Sequence, residues 1–175
     1  MAKYEDLVSQ DDWLPALDGR AWSFGDHFDR RSILADDWLH LPAAEAARHV
    51  FAALAPEFAG QLRPGDFIVA GLDFAFDVTQ RAVPAALKAA GVGAVIARSF
   101  GHFFMRNAIH LGLPALAVEE TEAIKQGDRL RVDVEAHVVA NKSSGDRYVV
   151  RNLNDDDIRI LRAGGLIERT LGPRP

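Results

Sequence analysis

Pro64-Gly65-Asp66-Phe67-Ile68-Val69-Ala70-Gly71 is the stretch on which the fold turns. A Pro-Gly-Asp turn hands the chain to four consecutive apolar residues with no polar alternation. That is the pattern of a strand buried on both faces, and such strands belong to parallel sheets covered by helices. Downstream, Pro84 opens a helix over Ala85 to Ala90 that Gly91 closes, and Ala94 to Ala97 forms the next buried strand. Ser99 is the expected N-cap of a helix from Phe100 to Leu111, closed by Gly112, and Ala115 to Val118 follows as a short strand. The order β-α-β-α-β implies parallel strands.

Upstream, Arg20-Ala21-Trp22-Ser23-Phe24 alternates polar and apolar, as a half-buried strand does, and Gly25-Asp26 turns it into a charged loop from His27 to Ile33. Pro42 starts an amphipathic helix whose stripe Ala43, Ala46, Ala47, Val50, Phe51 and Leu54 ends at Pro56. Beyond the turn Gln126-Gly127-Asp128, the alternation Leu130, Val132, Val134, then His137 to Val139 and Tyr148 to Val150, predicts antiparallel strands. Asn154 or Asp155 caps a last helix through Leu161, with Gly164-Gly165 at its end. The expectation is a leader over residues 1–18 and one α/β domain over 19–175, a parallel βαβ core extended by antiparallel strands.

Composition narrows the function. The chain has 175 residues, 49% hydrophobic, enough to bury a core. Twenty Lys and Arg against 25 Asp and Glu leave a net charge of −5, with no basic excess for nucleic acid or an anionic membrane surface. No apolar run approaches the roughly 20 residues needed to span a bilayer, and the first dozen residues lack the character of a signal peptide; a cytoplasmic protein is expected. The absence of cysteine excludes disulfides, a cysteine nucleophile and thiolate ligation of zinc or iron–sulfur clusters by this chain. His102 and His110 are too widely spaced for a zinc helix, so no bound metal is expected, and Gly91-Val92-Gly93 leads into a strand and is no dinucleotide fingerprint.

Several segments, taken in order, resemble one family. They are Gly19-Arg20-Ala21-Trp22 with Phe24-Gly25-Asp26, Pro64 to Gly71, Ala86 to Gly91, Ala94 to Ala97, Ser99-Phe100, Arg106-Asn107-Ala108-Ile109, Gly112-Leu113-Pro114 and Ala163-Gly164-Gly165-Leu166. The set is similar to the small subunit of 3-isopropylmalate dehydratase, the equivalent of the mobile swivel domain of aconitase. The resemblance implies a swivelling β/β/α domain. It also implies a separate large subunit whose [4Fe–4S] cluster acts as Lewis acid, while the small subunit supplies the base and the substrate clamps.

The chain departs from that family in both substrate loops. After Gly71 the family pattern runs Asn or Asp, Phe, Gly, any residue, Gly, Ser, Ser, Arg, Glu, His, Ala, Pro. Aligned without gaps, this chain reads Asp73-Phe74-Ala75-Phe76-Asp77-Val78-Thr79-Gln80-Arg81-Ala82-Val83-Pro84. Val78 holds the place of the base serine and has no proton-accepting atom; Gln80 holds the place of the arginine and cannot grip a carboxylate bidentately. In the second loop, Asp29-Arg30-Arg31-Ser32-Ile33-Leu34-Ala35 stands where the family reads Asp-Thr-Asp, apolar residues and Pro.

The candidate substrate-binding residues are accordingly Asp73, Phe74, Phe76, Val78, Thr79, Gln80 and Arg81 in the first loop, Arg30 and Arg31 in the second, and Arg106. Phe74, Phe76 and Val78 point to a less polar ligand than a hydroxy dicarboxylic acid. Asp77, His102 and His27 are the candidate acid–base groups; Asp77 or Thr79 as a helix cap, and each histidine as a structural residue, are the plainer readings. Asp155-Asp156-Asp157 reads as dipole-compensating acids at a helix start.

Three functions remain open on this sequence. One is a repurposed, cluster-free lyase, isomerase or cyclase acting on a small, partly apolar molecule, with a homodimer covering the surface a large subunit would occupy. The second is a diverged small subunit beside an iron–sulfur large subunit, with Thr79 replacing the lost serine. The third is a non-catalytic binding protein.

Overall fold

The computed structural model describes residues 14–166. Its strands form one seven-stranded sheet: β1 (Leu17–Ser23), β2 (Phe67–Ala70), β3 (Ala94–Ala97), β4 (Ala115–Ala117), β5 (Arg129–Asp133), β6 (Val138–Asn141) and β7 (Arg147–Val149), in the order β4-β3-β2-β1-β5-β6-β7. β1 is the seam. Its second half pairs parallel with β2, Ala21 opposite Phe67, and its first half pairs antiparallel with β5, Leu17 opposite Val132.

The burial pattern follows the pairing. Every residue of β2 and β3 is buried, because the parallel half carries core on both faces, whereas β5 alternates exposed and buried. Ile68, Ala70, Val95 and Ala97 face one core with Val83, Leu87 and the Phe51, Phe58 and Phe74 rings. Phe67, Val69, Ala94 and Ile96 face the other, with Ile109, Leu130, Val132, Ile158 and Leu161. Among the described residues six α-helices cover these faces: α1 (Arg30–Ile33), α2 (Ala43–Ala46), α3 (Phe58–Gln61), α4 (Ala82–Ala89), α5 (His102–His110) and α6 (Asp155–Arg162). Asn154 and Asp157 form a capping box on α6, which accounts for the acidic triplet there. No helix among the described residues is long and apolar enough to cross a membrane.

The structure corrects the sequence expectations at several boundaries. The Leu14 amide donates to Glu135 Oε1 and β1 starts at Leu17, both inside the stretch expected as leader. The earlier part of that leader, residues 1–13, lies outside the described residues. The helix expected from Pro42 to Leu54 stops at a 3₁₀ turn over Ala47–His49; Val50 is extended and Phe51 takes φ 58°. Burial of the Phe51 ring decides this, since it stacks on Phe24 at 4.7 Å and meets Phe58 edge-on at 5.1 Å while its amide donates to Ile33 O. The charged loop contains α1, capped by Asp29. α4 begins at Ala82, so Pro84 lies in the first turn, where a missing N–H costs nothing. α5 begins at His102 with Gly101 as its cap; Ser99 caps nothing there and turns instead to Asp73.

Candidate functional site

Three loops leave the carboxyl ends of β1, β2 and β3, the edge where open parallel sheets bind ligands. Backbone bonds lace the first two together, Gly71 N donating to Gly25 O at 3.1 Å and His27 N to Leu72 O at 2.7 Å. Asp26 Oδ1 accepts from Leu72 N at 2.7 Å. A Cβ at Gly71 would stand 1.8 Å from that same oxygen, so any larger residue there would displace the Asp26 carboxylate. The third loop joins through Ser99, whose Oγ accepts from Asp73 N at 2.8 Å and whose carbonyl accepts from Phe74 N at 3.0 Å. Gly101 N returns a bond to Phe74 O at 2.9 Å.

Of the expected site residues, Phe74 and Val78 are fully buried in the core, where Phe74 meets Phe100 and Phe104. They do not line a pocket. This corrects the expectation that they make the ligand site apolar: the loop's hydrophobic side chains anchor it from beneath, and Phe76 alone of the three is exposed. Asp77 Oδ1 accepts from the Arg30 amide at 2.7 Å, which makes it a brace between the loops. Thr79, Gln80 and Arg81 are exposed, and Asn107 Nδ2 donates to Thr79 O at 3.5 Å.

The remaining basic residues are similarly accounted for. Arg30 folds back on Asp36 and Leu34 O, and Arg31 reaches the same Asp36 at 3.3 Å, so both serve the start of the next turn. Arg106 lies over the Phe103 ring, and His102 in the first turn of α5 also meets Phe103. Hydrogen bonds from the Ser32 side chain and amide hold the Asp29 carboxyl below its usual range. His27 differs from all of these. Its Nδ1 stands 3.2 Å from Asp73 Oδ2, and Asp73 Oδ1 in turn accepts from Ser99 Oγ at 3.2 Å.

From the sequence Ser99 reads as a helix cap and Asp26 as a turn residue; both open loops expected to border the pocket, at Asp26 to Ile33 and Ser99 to Arg106, but neither is assigned a role of its own. Their signal was position: each sits just past the carboxyl end of a parallel strand. Beside the lattice opens a cleft of about 340 Å³ lined by Ser23, Asp26, Gly71, Thr121, Lys125 and Gln126. No group of three His, Asp or Glu among the described residues is placed to hold a metal ion, and the chain has no cysteine. A [4Fe–4S] cluster therefore finds no thiolate ligand here.

The chain is 45% identical over 151 residues to 3-isopropylmalate dehydratase small subunit 1 of Archaeoglobus fulgidus, covering 86% of this chain and 94% of that protein. This chain belongs to the 3-isopropylmalate dehydratase small-subunit family. The methanogen homoaconitase small subunit of Methanothermobacter thermautotrophicus is 40% identical over 154 residues, covering 87% of this chain and 89% of that protein. The crystal structure of 3-isopropylmalate dehydratase from Methanocaldococcus jannaschii superposes with a TM-score of 0.84 at 31% identity, covering 89% of this chain and 93% of that one. No family model matches the chain. The mixed sheet is thus the dehydratase small-subunit fold, and its three carboxyl-edge loops keep one joined lattice although Val78 and Gln80 stand where the family resemblance implies a serine and an arginine.

Proposed function

We propose that the chain is the small subunit of a two-component hydro-lyase, adding or removing water at a small hydroxy acid bound between this chain and a larger, cluster-bearing partner. The apolar rim of the carboxyl edge carries the reading. Leu72, Phe76 and Phe103 are three of the six large hydrophobic side chains exposed among the described residues, and all three stand on the laced loops or the first turn of α5. Large apolar side chains left exposed on one edge of the sheet are what a covering partner would bury. The similarity to dehydratase and homoaconitase small subunits along nearly the whole chain supports the same conclusion.

In this reading the chain's own residues orient and enclose the substrate, and the chain supplies no ligand to the cluster. The exposed Gln80 offers a neutral amide where a guanidinium would grip a second carboxylate, which favours substrates whose distal group is not read by charge. The freestanding isomerase or cyclase on an apolar molecule has less support, since the phenylalanine and valine that suggested it lie in the core.

The test is affinity purification of this chain from its host at low salt, with iron and sulfide analysis. A stoichiometric partner carrying the cluster is expected, and the double substitution Phe76→Ser with Phe103→Ser should weaken that complex at least tenfold without moving the thermal midpoint. Recovery of the chain alone and iron-free, or a double variant that binds as well as the parent, would overturn the proposal.

A further inference from the structure

Val78 leaves the site without a base in its expected place, and no solvent-facing atom of that buried side chain can carry a proton. A different pair can. His27 Nδ1 lies 3.2 Å from Asp73 Oδ2, and both side chains are largely exposed, 63% and 53%, at the carboxyl edge. An ionised carboxylate only accepts, so the ring nitrogen facing it bears the hydrogen and the other, Nε2, keeps its lone pair. This is the arrangement by which a carboxylate fixes the tautomer and orientation of a histidine base.

The pair is held from behind. The Asp73 amide and carboxylate both engage Ser99 Oγ, at 2.8 and 3.2 Å, while the His27 amide donates to Leu72 O at 2.7 Å. His27 and Asp73 also share an uncommon backbone conformation, φ 57° and 54°. Side chains other than glycine keep such a conformation where their surroundings impose it, and those places concentrate at functional sites.

Resting on the hydro-lyase reading above, we propose that His27 is the general base of this site, with Asp73 and Ser99 as its positioning residues. In dehydration, Nε2 takes the proton from the carbon next to the carbinol carbon. The C–H electron pair becomes the second bond of the alkene as the C–O bond breaks and hydroxide departs. The proton held on the imidazolium then converts that hydroxide to water, so the cycle balances with no oxidant or reductant. Hydration runs the same steps backwards.

The experiment uses the chain assembled with its large subunit, assayed with 3-isopropylmalate, citrate and malate, alongside ¹⁵N spectra of the histidine rings of this chain. His27→Asn and Asp73→Asn are the variants, because asparagine tolerates the positive φ at both positions. His27→Asn should lower kcat at least about 100-fold, the ordinary contribution of a positioned base, with KM changed less than threefold. Asp73→Asn should lower kcat about tenfold and abolish the single Nδ1–H tautomer expected at His27 of the parent.

An active parent whose His27→Asn variant keeps its rate within threefold overturns the base and leaves the hydro-lyase reading standing. A His27 ring that carries its hydrogen on Nε2 in the parent overturns the base whatever the activity. Failure of the parent to assemble with a large subunit overturns the hydro-lyase reading, and this inference with it.

Discussion

Trp22 Nε1 donates to Asp66 Oδ2 at 2.9 Å, tying β1 to the turn that launches β2. The same carboxylate, 5% exposed, accepts from the Arg20 and Arg63 amides and meets the Arg20 guanidinium at 3.4 Å. Burial pushes its pKa up, but the bonds from Trp22 and the Arg63 and Arg20 amides together outweigh it and leave the group below the usual carboxylate range. Trp22→Phe removes one charge-assisted bond while keeping an aromatic ring at the position, and should cost about 1.5–3 kcal/mol in urea unfolding.

Glu135 predicts an acid limb of stability. Its side chain is 4% exposed and takes two bonds from Arg162, at 2.6 and 2.7 Å, which with the Leu14 amide hold its carboxyl below the ordinary 4.5 despite burial. A folded value below the unfolded one contributes stability that is complete above pH 4.5 and disappears as pH falls through the folded value. Arg162→Met leaves the buried carboxylate without its main partner and should cost about 3 kcal/mol at neutral pH. Glu135→Gln should flatten the thermal midpoint against pH below 4.5, a range that scanning calorimetry can cover.

Gly101 is a steric requirement of the loop lattice. Its φ is an ordinary −59°, yet a Cβ would stand 2.3 Å from Ala75 O and 2.8 Å from Phe76 Cα. Gly101→Ala should therefore displace the loop after β2 and cost about 1–3 kcal/mol, the usual penalty of overpacking. Hydrogen exchange should report it first at the Phe74 amide, which bonds to Ser99 O.

Val78→Ser tests whether a hydroxyl at that position regains a role. The side chain is 1% exposed among core residues, so the new group would face apolar neighbours and not substrate. The expected outcome is no gain in turnover of the assembled enzyme, with a loss of about 1–3 kcal/mol on urea unfolding from burying a hydroxyl.

The strands Phe67–Ala70 and Ala94–Ala97 were legible residue for residue, because burial on both faces writes itself as an unbroken apolar run. Ala46, Ala47, Val50 and Phe51 of the stripe from Ala43 to Leu54 were legible as core, but the geometry was not, since a demand for the Phe51 ring from a distant aromatic cluster broke the helix, and Leu54 is exposed. In the site, the loops were found and the directions of their side chains were not. A loop has no period, so nothing local tells that Phe74 points down and Phe76 out. The pairing of His27 with Asp73 spans two loops and depends on strand register, which no local pattern encodes.

The seam strand also governs assembly in time. β1 takes one neighbour from Phe67–Ala70 and the other from Arg129–Asp133, so the two halves of the sheet share a member that is translated well before either contact can form. Closing the longer of these chain loops is an entropic toll levied before the contact yields any return. Until β5 is available, the nascent chain presents an open strand edge, the kind of surface that invites pairing with a stranger. The architecture that brings three loops to one edge in the finished protein thus leaves β1 half-partnered until Arg129–Asp133 has been made.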